Sequence, residues 1–150
     1  MTQAYIIDAV RTPRGIGKVG KGALASLHPQ QLAATVLRAI AERNALDTAS
    51  VDDIIWSTSA QRGKQGGDLG RMAALDAGYD IKASGVTLDR FCGGGITSVS
   101  LAAAQVISGM EDCVIAGGDR DDELHGRARA GGGRRRTGAV PDGRPQSHAR

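Results

Sequence analysis

The chain has 150 residues, enough for one domain with a core, and its 41% of apolar residues include only four aromatics, so Ala, Val, Ile and Leu must carry the packing. Its net charge of +3 is set at one end: residues 1–118 hold 11 basic and 11 acidic side chains, and residues 119–150 hold 8 arginines against 5 acids. Two cysteines exclude a disulfide framework, no apolar run approaches the length of about 18 residues that spans a bilayer, and the start lacks a signal-peptide pattern, so a soluble, reduced, cytoplasmic protein is the expectation.

Residues 4–10 are apolar and β-branched and end at Arg11-Thr12-Pro13, a pattern that predicts a buried strand. Residues 14–22 are glycine-rich and basic. Gly15-Ile16-Gly17-Lys18-Val19-Gly20 formally matches a dinucleotide fingerprint, and Gly20-Lys21 nearly matches a phosphate loop, with Gly22 where Ser or Thr is required. Both motifs need their glycines to run straight into a helix, so that N–H groups converge on phosphate. The first good helix start is Pro29, which leaves residues 14–22 as a surface loop. From there to residue 44, Leu32, Val36, Leu37 and Ile40 recur with helical spacing, and His28 is a helix-entry residue rather than a metal ligand.

Residues 51–58 predict a second buried strand, with Asp52 and Asp53 at its entry and Trp56 in the core. A polar connection over residues 57–67 leads to a short helix at 68–77, which Gly78 ends. A third strand begins at Val86 and runs into Asp89-Arg90-Phe91-Cys92-Gly93-Gly94-Gly95-Ile96. Beyond it, Ile96, Val99, Ala103, Val106 and Ile107 fall on one face of a helix closed by Gly109. Asp112-Cys113-Val114-Ile115-Ala116 is a fourth strand ending at Gly117-Gly118, in which Cys113 is a small core hydrophobe. This alternation predicts a layered α/β domain with a mostly parallel sheet flanked by helices.

Cys92 is the candidate for chemistry. It stands on a strand-to-helix turn, at the helix end where unpaired N–H groups favour negative charge and hence a thiolate. The glycines after it leave the backbone bare, so another molecule can come close to the sulfur. A buried structural cysteine beside a glycine turn is the competing reading. No set of His, Cys, Asp or Glu has metal-site spacing, and no metal is expected.

Several pieces, in order, resemble the N-terminal half of a thiolase of the acetyl-CoA acetyltransferase type. They are Ile7-Asp8-Ala9-Val10-Arg11-Thr12-Pro13 with Gly15, Gln65-Gly66-Gly67-Asp68 through Arg71, Asp89-Arg90-Phe91-Cys92-Gly93, and Val114-Ile115-Ala116-Gly117-Gly118. The resemblance covers residues 4–118. It implies a thiolase-like layered fold present as one incomplete half, and acyl transfer between CoA thioesters through a thioester on Cys92. The backbone N–H of Cys92 would help bind the oxyanion. Coenzyme A would serve as substrate and no cofactor is implied; the complete family member would be a homo-oligomer. Gly94 stands where the family often has Ser, which is taken as subfamily variation that keeps a small residue near the acyl group.

The resemblance also marks what is missing. The family's His in a Gly-His-Pro setting and its second Cys in a Cys-x-Gly motif belong to the C-terminal half; no Gly-His-Pro occurs here, and Cys113, the cysteine other than Cys92, is followed by Val114-Ile115 and not by x-Gly. The chain alone is therefore expected to bind substrate poorly, turn over little and leave an apolar face uncovered. A ketosynthase-like condensing enzyme and a non-catalytic acyl-CoA-binding or oligomerisation module remain alternatives.

Residues 119–150 have only Leu124 and Val140 as large aliphatics and contain Gly131-Gly132-Gly133-Arg134-Arg135-Arg136. Such a composition predicts disorder. An arginine-rich tail for nucleic acid is a minor alternative, and no aromatic interleaves it to stack on bases. A shifted reading frame is the favoured explanation. Asp119-Arg120-Asp121-Asp122-Glu123-Leu124-His125 can be written GAC CGA GAT GAT GAG CTA CAC, and dropping the first base yields Thr-Glu-Met-Met-Ser-Tyr. Thiolases commonly continue after this Gly-Gly with a stretch like Thr-Glu-Met-Met-Ser.

Overall fold

The computed structural model describes residues 3–16 and 21–119. Residues 17–20 of the glycine fingerprint and residues 120–150 of the tail are outside the described residues. Within them the chain forms α1 (Pro29–Arg43), β1 (Asp53–Thr58), α2 (Leu69–Ala77), β2 (Val86–Asp89), α3 (Gly94–Ser108) and β3 (Val114–Gly118). The three strands make one parallel sheet in the order β2-β1-β3. It is the expected α/β architecture, with helices on both faces of a parallel sheet.

The helix boundaries follow local chemistry. His28 caps α1: its Nδ1 accepts from the Gln30 N–H at 3.2 Å, while Gln31 Oε1 accepts from the His28 N–H at 3.1 Å. Pro29 takes the first helical position, where its missing N–H costs nothing. Asp68 caps α2, and Gly78, at φ 85°, ends it in the left-handed conformation.

Side chains alternate across β1. Ile54 and Trp56 face α1 and α2 and join Ala33, Leu37, Leu69, Ala73 and Tyr79 in the main core. Ser57 points the other way, toward the start of α3. Asp52 fastens the start of β3 to β1: its carboxylate accepts from the N–H groups of Asp112 at 2.8 Å and Cys113 at 2.9 Å. Those two bonds, Cys113's first, hold its carboxyl below the ordinary carboxylate value against a small opposing effect of burial.

One expectation is corrected. Residues 4–10 form no strand, and Ile6 and Ile7 are 82% and 83% exposed. The segment is anchored through Asp8, which accepts from Asn44 Nδ2 at 2.9 Å and pairs with Arg43 at 3.2 Å. A strand needs a neighbouring edge, and β1 already has β2 and β3 on its two sides. A hollow of about 860 Å³ lies between the segment, α1, α3 and β3, so the segment does not reach the β3 edge.

In α3 the buried positions are Gly94, Ser98 and Ala102, and of the apolar row on one face of the helix, Ile96, Val99 and Ile107 are exposed. Small residues four apart let the helix lie close on β1 and β3, while the bulky apolar residues sit on the other side. By length and composition alone, the turn and helix together, Phe91–Ser108, are long and apolar enough to cross a membrane, with a mean hydropathy of 1.3. In the fold this stretch is a helix of the α/β layer, held to the sheet by its small-residue side.

Candidate active site

Parallel pairing sets Thr58 level with Asp89, so β1 and β2 end side by side. The backbone N–H of Gln61, leaving β1, donates to Asp89 Oδ2 at 3.2 Å and holds the two exits together. The chain then passes through Phe91 at φ 43°, a left-handed conformation unusual for a bulky residue. Phe91–Gly93 forms one 3₁₀ turn, in which the Gly93 N–H donates to Arg90 O at 3.0 Å and the Gly94 N–H to Phe91 O. An Arg90 guanidinium N–H donates to Thr97 Oγ1 at 2.7 Å, and the Thr97 hydroxyl donates to Gly93 O at 3.1 Å. The turn is thereby tied to the first turn of α3.

Cys92 stands in the middle of that turn, exposed, immediately before the 15-residue helix α3. A hollow of about 370 Å³ opens beside it, bounded by Ser57, Thr58, Phe91, Ser98 and Gly118. The hollow sits at the C-terminal ends of parallel strands, the edge where open α/β sheets place their ligands. Cys92 is thus an exposed thiol at a helix start beside a hollow, and not a buried structural one. The larger hollow beside residues 4–16 is not lined by Cys92.

The other cysteine has a different setting. Cys113 precedes β3 and packs against the main core, and burial, with the Asp52 charge adding to it, pushes its thiol up. It lies level with the sheet's N-terminal edge, and Cys92 follows the opposite edge. With a rise of about 3.3 Å per residue over the strand between them, the two are roughly 20 Å apart along the strands. His28, capping α1, is likewise a structural residue.

The segment from Gln65 to Arg71 has a structural role that spacing alone did not show. Asp68 Oδ1 accepts from Thr87 Oγ1 at 2.8 Å, and Thr87 Oγ1 accepts from the Gly70 N–H at 2.9 Å, joining α2 to β2. Arg71 donates to the carbonyls of Ile81 and Ala83, so the loop before β2 is clamped as well. A Cβ at Gly94 would point at Ser57, which itself borders the hollow beside Cys92.

The family model for the N-terminal domain of thiolase matches residues 4–121. The chain belongs to the thiolase family. Among curated thiolases, the steroid 3-ketoacyl-CoA thiolase of Mycobacterium tuberculosis (strain ATCC 25618 / H37Rv) is 44% identical over 118 residues, covering 79% of this chain and 28% of its own. The 3-oxoadipyl-CoA/3-oxo-5,6-dehydrosuberyl-CoA thiolase of Escherichia coli (strain K12) is 41% identical over 119 residues, covering 79% and 29%. Among solved thiolase-family structures, the Bacillus anthracis acetyl-CoA acetyltransferase matches with a TM-score of 0.60 and 34% identity, covering 65% of this chain and 24% of that one. The chain thus spans less than a third of the length of these thiolases.

Proposed function

We propose that this chain carries the acyl-accepting cysteine of a thiolase acting on CoA thioesters, and that Cys92 is that residue. The observation that carries the reading is the exposed placement of Cys92 on a turn before α3, beside the hollow at the strand ends. Its thiolate sulfur would attack the thioester carbonyl and form a C–S bond. The carbonyl oxygen would take the negative charge, near the Cys92 backbone N–H and the start of α3. As the oxyanion collapses, the C–S bond to coenzyme A breaks, and coenzyme A leaves with the proton lost by Cys92. One thioester replaces another, so the step is close to balanced and readily reversed. The relatives' names, 3-ketoacyl-CoA and 3-oxoadipyl-CoA thiolase, support a 3-ketoacyl-CoA as the substrate class in the cleavage direction.

The second half-reaction, delivery of the acyl group to a carbon nucleophile, needs proton transfer that the described residues do not bring to Cys92. Positioned acids and bases are worth about 10²–10⁴ in rate, so the chain alone should acylate slowly and complete few turnovers. The test of the nucleophile is acetyl-CoA followed by peptide mass mapping. Acetylation at Cys92 that is absent from Cys92→Ser supports the reading, and labelling that persists in Cys92→Ser overturns it.

A further inference from the structure

Three glycines follow Cys92, and their surroundings differ. An added Cβ at Gly95 would meet nothing within 4 Å, and at Gly93 it would meet only the flexible Arg90 side chain, at 3.8 Å and beyond. At Gly94 it would fall 1.7 Å from Ser57 Oγ and 2.8 Å from Ser57 Cβ. Gly94 has ordinary helical angles, φ −58° and ψ −47°, so any residue could adopt its backbone. What it lacks is room.

Ser57 cannot yield that room. It is 3% exposed, on the central strand, between Leu88 of β2 and Gly118 of β3. Its carbonyl accepts from the Asp119 N–H at 2.9 Å, and its backbone leaves so little space at Gly118 that a Cβ there would lie 2.7 Å from the Ser57 oxygen. A side chain at position 94 must therefore push the start of α3 away from the sheet, and Cys92, two residues upstream in the same tied turn, moves with it.

We propose that Ser57 and Gly94 form a complementary positioning pair for the nucleophile: the contact has room for one side chain, and which residue supplies it is interchangeable. The functional part rests on Cys92 being the acyl acceptor; the steric part does not. Neither residue is a catalytic residue, since both act through the seat of the turn on the sheet.

The test uses the full chain and four variants: Gly94→Ala, Gly95→Ala, Ser57→Gly and Ser57→Gly with Gly94→Ala. Thermal unfolding and the rate of Cys92 acetylation by acetyl-CoA, per folded molecule, are both read. Gly94→Ala should lower the unfolding midpoint, whereas Gly95→Ala should leave it unchanged or raised. Because ångström-scale displacement of a reacting group is costly, Gly94→Ala should also slow acetylation by about tenfold or more. Adding Ser57→Gly should recover both quantities, although Ser57→Gly alone weakens the strand. A double variant no better than Gly94→Ala, or an acetylation rate per folded molecule that Gly94→Ala leaves untouched, overturns the proposal. Failure of wild-type Cys92 to acetylate would instead overturn the nucleophile reading, with the pairing still decided by recovery of the unfolding midpoint.

Discussion

The indole N–H of Trp56 donates to Asp119 Oδ1 at 3.0 Å, and the amide of Gln65 donates to Oδ2 of the same carboxylate at 3.1 Å. One carboxylate thus joins the central strand, the connection before α2 and the residue that follows β3. Gln65 and Trp56 are both buried, so neither donor can turn to water without cost. Asp119→Ala should destabilise by about 1–3 kcal/mol, the usual cost of orphaning buried donors. Trp56 is the only tryptophan, so its fluorescence reports the change directly. A lower unfolding midpoint with a shifted emission is expected; an unchanged midpoint would mean the carboxylate adds nothing.

Tyr79 gives the fold an alkaline limit. Its hydroxyl donates to Leu37 O at 2.9 Å in the core, and burial, with a smaller contribution from Cys113, pushes it up to about 12 from its ordinary value of 10.0. The folded state therefore holds this proton where the unfolded chain releases it. Its contribution is complete below pH 10.0, declines above it, and is gone once the pH passes about 12. Ultraviolet titration should show a tyrosine component near the upper value that Tyr79→Phe removes. If Tyr79→Phe unfolds with the same alkaline dependence as wild type, the assignment fails.

The outward face of α3 should drive association. Ile96, Val99 and Ile107 lie together on it and are all exposed. Sedimentation velocity should show concentration-dependent self-association, weakened by Ile107→Lys. A monomer at every concentration would contradict the expectation of an uncovered apolar face.

How far the sequence could be read follows from what each signal depends on. Pro29, Gly78 and Gly109 mark helix ends by local chemistry, and α1, α2 and α3 were legible for that reason. The strand forecast for residues 4–10 failed because a strand is a relation to a neighbour, and Ile6 and Ile7 carry the composition of one without reaching the open edge of β3. The periodicity of α3 found the bulky row Ile96, Val99 and Ile107, but the sheet is packed by Gly94, Ser98 and Ala102, whose small size leaves little hydrophobic signal. Cys92 could be singled out as a thiol before a helix, and its flanking motifs gave it a role. The left-handed Phe91 and the contact between Ser57 and Gly94 could not be anticipated, because both arise from how the turn meets a strand more than 30 residues earlier in the chain.

The proposed frame slip is decided by the coding DNA around codon 119. A one-base shift there should restore Thr-Glu-Met-Met-Ser after Gly118 and continue into the family's Gly-His-Pro and Cys-x-Gly motifs. A downstream sequence with no such continuation in any frame rules it out.

The central claim is that Cys92 exchanges acyl groups with coenzyme A. Acetyl-CoA should place an acetyl group on Cys92 while Cys113, packed against the core, remains unlabelled. After removal of excess reagent, added coenzyme A should strip the group from Cys92 and return as acetyl-CoA, because the two thioesters are close in energy. The account predicts a Cys92 label that forms and reverses in this way. A label shared with Cys113 and lysines, or one on Cys92 that coenzyme A cannot remove, would contradict it.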